Sequence, residues 1–450
     1  MPVSITRHFV QVDGRFVHYR KAGRGPPLLM VHQSPRSSAE FIPLMEQWSG
    51  RFTCIAPDTP GFGQSDPLPG EPEIDGFADA LIAFLDAIGI ERTGAYGFHS
   101  GGIILVAALK RHPERFSALA VGGYAVWTDA EREAFSAAYL PPFVPSAYGE
   151  HLTWLWNRIL EQSWFFPWYD LRPETRLPGA HADPQRVHAT VMDMLNAGDA
   201  YRAGYGAVLR APRDIPSADA PTAPVLITAY DGDPLQAHLE RLGPMPPNWQ
   251  ARPVASPRQH QDESFTFLQV HAAPESGPIR ESARRGFTPV STDAWQGLIH
   301  WRGESGGATV AGPGRSAALV QGSAIDPPGH GLSDPWPDAP EAWAPWAEVL
   351  ENAARQRDLR DLSHEPLPAG DPQRLLPDLS PDRHGAYLTR AWNMVRAGHL
   401  FSPWYEADAA HAVVFDPVAL APDRLAAEHL ALLQASAARP YLMARQQGDS

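Results

Sequence analysis

Gly97-Phe98-His99-Ser100-Gly101 is the stretch on which the reading of this chain turns. It has the frame G-x-S-x-G of a sharp strand-to-helix turn, the nucleophile elbow, with histidine where the serine stands. Residues two before and two after the central position must be small, or their side chains clash across the turn. Gly97 and Gly101 meet that demand. Ahead of the frame, Thr93–Tyr96 reads as a short strand, and behind it Ile103–Leu109 reads as a buried helix. The frame predicts a strand, a tight turn and a helix, and leaves the chemistry of position 99 open.

Outward from the elbow, strands and helices alternate, which argues for a largely parallel sheet. Phe9–Val12 and Phe16–Arg20 read as a hairpin turned at Asp13-Gly14. Leu28–Val31 is a buried strand followed by His32-Gln33-Ser34-Pro35, and Phe52–Ala56 is another, running to Asp58-Thr-Pro-Gly-Phe-Gly-Gln-Ser-Asp66. Phe77–Ile88 has helical spacing, and Phe116–Val121 is a strand closing at Gly122-Gly123-Tyr124. From Trp127 to Pro212 the chain turns to tryptophan-rich helices and proline turns. It returns to strand at Pro224–Ala229, ending in Tyr230-Asp231-Gly232-Asp233-Pro234.

Taken in order, the Asp58–Asp66 loop, the elbow, the Asp233 strand and His260 after Pro257-Arg258-Gln259 resemble the α/β-hydrolase superfamily over residues 8–272. The resemblance implies an α/β fold with a mostly parallel central sheet, helices on both faces and a helical cap. Its core would be residues 1–126 and 213–272, and its cap 127–212. It places the family's acid at Asp233, with Asp231 as runner-up, and the family's histidine at His260. It also implies oxyanion donors at the backbone N–H groups of Gln33 and Ser100, donors of a kind that often form the largest catalytic term. The expected function is hydrolysis of a small apolar ester or related carbonyl compound. In that reading His260 is the general base and Asp233 orients it.

Three readings of the elbow stand open. His99 itself is nucleophile or base, since imidazole does either near neutral pH. Alternatively Ser100 attacks, which puts Phe98 where a small residue is required. In the third reading the covalent step is lost, and the site runs a cofactor-free lyase or oxygenase reaction or only binds ligand. His32 is expected to order its loop and Tyr124 to line the cleft. The cap aromatics, including Trp154 and Trp168, either pack the cap or form an apolar roof over the site.

Composition narrows the alternatives. The net charge of −14 gives no basic footprint for nucleic acid or an anionic membrane. Lysine occurs only at Lys21 and Lys110. Cys54 is the lone cysteine, so no internal disulfide and no zinc-type cysteine spacing is expected. No cofactor or metal is expected, the partner is a small-molecule substrate, and the absence of a leader or spanning segment points to the cytoplasm.

A repeat runs through the second half. Asp326-Pro-Pro-Gly-His-Gly-Leu-Ser-Asp334 matches Asp58–Asp66 glycine for glycine, and Ile299-His-Trp-Arg302 echoes Val17-His-Tyr-Arg20. Leu388-Thr-Arg-Ala-Trp-Asn393 echoes Leu152-Thr-Trp-Leu-Trp-Asn157, and Ser402-Pro-Trp-Tyr-Glu406 echoes Phe166-Pro-Trp-Tyr-Asp170. The order is kept, which reads as a tandem duplication: a linker at 273–285, then a degenerate copy at 286–450 with part of a sheet and cap-like helices. No elbow strand, no Gly-x-His-x-Gly and no second acid or histidine are expected in it. An incomplete sheet exposes strand edges and apolar surface, so the second copy is expected to pack on the first, cap to cap, in imitation of a homodimer.

Overall fold

The computed structural model describes residues 4–282 and 284–448. Residues 1–3 of the expected core, 283 of the expected linker and 449–450 of the expected second copy lie outside them. The chain forms two compact units. The first comprises residues 1–143, 158–182 and 186–281, and the second 144–157, 183–185 and 282–450.

The first unit is built on an eight-stranded sheet. Its strands are β1 (Thr6–Val12), β2 (Arg15–Ala22), β3 (Pro27–Val31), β4 (Thr53–Pro57), β5 (Thr93–Phe98), β6 (Phe116–Gly122), β7 (Val225–Tyr230) and β8 (Trp249–Val254). They lie in the order β1-β2-β4-β3-β5-β6-β7-β8. β1, β2 and β4 pair antiparallel and the rest parallel. The central strands are apolar throughout because helices cover both faces, as parallel sheets require. β3 and β5 are buried almost end to end. β8 was not foreseen: Trp-Gln-Ala-Arg-Pro-Val is polar and carries Pro253, a composition that suits only an edge strand.

The second unit holds a five-stranded sheet of β9 (Arg285–Ser291), β10 (Gln296–Arg302), β11 (Gly306–Val310), β12 (Ala324–Ile325) and β13 (Leu359–His364). Their order, β13-β11-β12-β10-β9, is that of β5-β3-β4-β2-β1. β13 lies parallel to β11, as β5 does to β3, so the expectation of no strand at the elbow position is corrected. The polar sequence Leu-Arg-Asp-Leu-Ser-His concealed it, as an edge strand's exposed face does. Glu365-Pro366 follows β13, with no glycine frame.

One hydrogen-bond network recurs in both units. Asp58 accepts from the Ser38 and Gln64 N–H groups and pairs with His18 Nδ1 at 2.8 Å. Asp326 accepts from the Ala317 and Leu332 N–H groups and pairs with His300 Nδ1 at 2.7 Å. Ser65 and Ser333 accept from the N–H groups of His18 and His300 in the same way. Each buried carboxylate ties the loop after one strand to two others, so the D-x-P-G-x-G-x-S-D pattern plays the same structural part in both units.

Candidate active site

The elbow forms as its glycines require. β5 ends at Phe98, His99 takes φ 46° and ψ −111°, and the Ser100–Arg111 helix begins at once. A Cβ on Gly97 would sit 2.7 Å from the Gly101 carbonyl carbon, and one on Gly101 would strike the Val31 carbonyl. The positive φ at a non-glycine residue is strain of the kind held at functional turns.

His99 presents its ring to a cavity of ≈ 200 Å³. Nε2 lies 3.1 and 3.3 Å from the two carboxylate oxygens of Asp233, which is 5% exposed at the end of β7. An ionised carboxylate only accepts, so Nε2 carries the hydrogen of this pair. Burial opposes ionisation of Asp233, but His99 and the Leu235 N–H outweigh it and hold its carboxyl below the usual range. The Phe98 ring stacks on the imidazole at 4.1 Å and fixes its plane. Histidine plus carboxylate, oriented and half-shielded from water, is an arrangement that can transfer a proton.

His260 is placed elsewhere than the resemblance implies. It sits in the first turn of the Pro257–Val270 helix, capped by Ser256, and not in a polar loop. Its Nε2 lies 2.8 Å from the Tyr96 hydroxyl and its Nδ1 2.6 Å from Thr228 Oγ1. Both ring nitrogens are occupied and the side chain is 2% exposed. The cause lies at position 99: an imidazole there is long enough to reach Asp233 and takes the acceptor that a histidine at 260 would need. Asp233 therefore orients His99, which corrects the expected His260–Asp233 pairing.

Burial pushes His260 down to about 4 from an ordinary 6.5. The folded value is below the unfolded one, so its contribution is complete above pH 6.5 and lost as pH falls toward 4. That difference is worth about 3 kcal/mol. The urea midpoint of the wild type is expected to drop over this window, with a shallower drop in His260→Gln. Equal slopes would remove His260 from the account.

The loop after β3 departs from the expected oxyanion hole. Gln33 directs its backbone N–H to Glu40 at 3.2 Å and its side-chain amide to the same carboxylate at 2.7 Å. The implied Gln33 N–H donor is thus engaged, and Glu40 is a participant the sequence reading missed. Burial raises the Glu40 carboxyl above its usual range. His32 orders the loop: Nε2 accepts the Thr59 N–H at 2.9 Å and Nδ1 donates to the Gln33 carbonyl. Ser100 Oγ accepts the Ser34 N–H at 3.2 Å, which turns the hydroxyl toward the loop.

The cavity wall is mostly apolar, with Ile103, Trp127, Tyr139, Phe166 and Leu177 around His99, and Gln33, Ser34, Ser100 and Gln162 among its polar members. Tyr124, expected in the cleft, is 1% exposed and is not part of this wall. Trp168 donates to the Tyr139 carbonyl and stacks with Arg158, so it packs the cap instead of lining the cavity. Trp154 belongs to the second compact unit. Asp231 is exposed and holds Gln236.

Residues 26–235 match the family model for the alpha/beta hydrolase fold. The chain is 32% identical over 123 residues to haloalkane dehalogenase 2 of Mycobacterium tuberculosis, covering 27% of this chain and 43% of that one. It is 34% identical over 137 residues to a pimeloyl-acyl-carrier-protein methyl ester esterase of a Shewanella species, covering 30% and 48%. The chain spans less than half the length of each of these curated relatives. A solved hydrolase from Pseudomonas aeruginosa PA01 overlays 59% of this chain and 98% of its own, with 19% identity and a TM-score of 0.45. No helix among the described residues is long and apolar enough to cross a membrane.

Proposed function

This chain belongs to the α/β-hydrolase superfamily, and on that footing we propose that it hydrolyses a small apolar ester or related carbonyl compound, with His99 as the working base. The observation that carries the reading is the hydrogen bond from His99 Nε2 to buried Asp233 at 3.1 Å, on the wall of a mostly apolar cavity. In this mechanism His99 Nδ1 takes a proton from water as the water oxygen bonds to the carbonyl carbon. Asp233 stabilises the imidazolium, and the Ser100 N–H faces the developing oxyanion. Collapse of the tetrahedral species breaks the bond to the leaving group, which receives the proton from His99. General-base catalysis of this type supplies about 10²–10⁴-fold.

The engaged Gln33 N–H favours a second reading, a cofactor-free proton abstraction in which the His99–Asp233 pair works without a two-donor oxyanion hole. A panel of activated short- and medium-chain esters separates the two. The proposal expects turnover with no initial burst, because no acyl-enzyme accumulates. A burst stoichiometric with protein would make His99 or Ser100 a covalent nucleophile. Thermal stabilisation by these esters without turnover would leave binding alone.

A further inference from the structure

In the second compact unit, the segment 144–157 packs against the Ala386–Gly398 helix in a self-reciprocal way. Trp156 Nε1 donates to the Arg383 carbonyl at 3.2 Å, and Trp392 Nε1 donates to the Ala147 carbonyl at 3.4 Å. The Trp156 ring lies over Gly385, where a Cβ would come within 2.5 Å of it, and the Trp392 ring lies over Gly149, where a Cβ would come within 3.0 Å. Trp156 meets Tyr387 edge-on at 5.8 Å, and Trp392 meets His151 edge-on at 4.9 Å. In every pair the two members are 236 positions apart: 147 and 383, 149 and 385, 151 and 387, 156 and 392. Residue i touches residue j, and the equivalent of j touches the equivalent of i. That is the rule of an isologous two-fold interface between identical subunits.

The equivalence runs on beyond the contact. The bridge Phe165–Arg176 reappears as Phe401–Ala412, and the indole of Trp168 on the Tyr139 carbonyl reappears as Trp404 on the Leu375 carbonyl, again at 236. Both interface tryptophans are buried, at 2% and 0% exposure. Large indoles seated on glycines at the centre of a patch are the anchors that dominate protein–protein binding.

We infer that residues 286–450 act as a built-in partner: the Ala386–Gly398 helix occupies the face through which the Glu150–Gln162 helix would pair with the same helix of a second copy of this chain. Both tryptophan–glycine seats are needed for the intramolecular pairing. A chain that loses one tryptophan still carries one complete helix face, and that face is complementary to itself.

The test uses the full chain in sedimentation velocity at micromolar concentration. Trp392→Glu breaks the internal pairing and leaves the 150–162 face intact, and Trp156→Glu leaves the 386–398 face intact. Each single variant is expected to double in mass relative to the wild type, and Trp156→Glu/Trp392→Glu is not. Folded single variants that keep the wild-type mass overturn the proposal. If the glutamate variants do not fold, Trp156→Ala and Trp392→Ala decide: the interface predicts melting-temperature losses equal within twofold, and a larger disparity refutes it.

Discussion

Asp233→Asn is expected to lower kcat/KM toward an activated ester by about 10²–10⁴-fold while leaving the fold intact. The size of the effect follows from what Asp233 does for His99. Its carboxylate, 5% exposed, fixes Nε2–H and stabilises the imidazolium that forms when Nδ1 takes a proton. Asparagine fits the same space and can still bond the ring, but it carries no charge. Its amide can also donate to Nε2, which moves the ring hydrogen to Nδ1 and removes the basic lone pair. Circular dichroism and substrate saturation distinguish this loss from unfolding. A variant with wild-type kcat would mean that Asp233 is only a structural acceptor.

The second large effect concerns stability. Asp58→Ala is expected to cost about 3–5 kcal/mol, because it removes a buried carboxylate whose hydrogen bonds contribute about 1.5–3 kcal/mol each and leaves their donors unsatisfied. Asp58 and His18 are 2% and 3% exposed, and the deletion strands the Ser38 and Gln64 N–H groups as well as the imidazole. Asp326→Ala is expected to cost a similar amount, because His300, Ala317 and Leu332 make the same three contacts there. Urea denaturation of both variants checks this. A loss below about 1 kcal/mol in either would be the value of an exposed pair and would contradict the network.

The fold was open to reading wherever steric demand restricts sequence. Gly97 and Gly101 admit only one kind of turn, and the D-x-P-G-x-G-x-S-D loops each need a glycine in the left-handed region beside a buried carboxylate, as at Gly63 and Gly331. β8 and β13 escaped because edge strands face solvent and carry polar residues, Gln250 and Arg252 in one and Arg360 and Asp361 in the other. The site was legible as a set of residues and misread as a set of pairs. His99, Asp233 and His260 all sit near the ends of β5 and β7 or the helix packed beside them, but sequence order carries no record of which imidazole reaches the carboxylate. Side-chain length at position 99 decided that, and Tyr96 and Thr228, one residue each in ordinary strands, took up His260. Glu40 gave no signal because its clamp on Gln33 reaches back seven residues from the Ser38–Phe41 3₁₀-helix across a turn.

Which imidazole is the base is decided by kcat/KM toward one turned-over ester for His99→Asn and His260→Gln side by side. Asparagine tolerates the positive φ at the elbow and cannot accept a proton, and its amide is too short to stand in for Nε2 against Asp233. His99→Asn is expected to fall by about 10²–10⁴-fold while His260→Gln stays within about tenfold of the wild type. Loss of turnover in His260→Gln with activity retained in His99→Asn would return the base to position 260 and contradict the account.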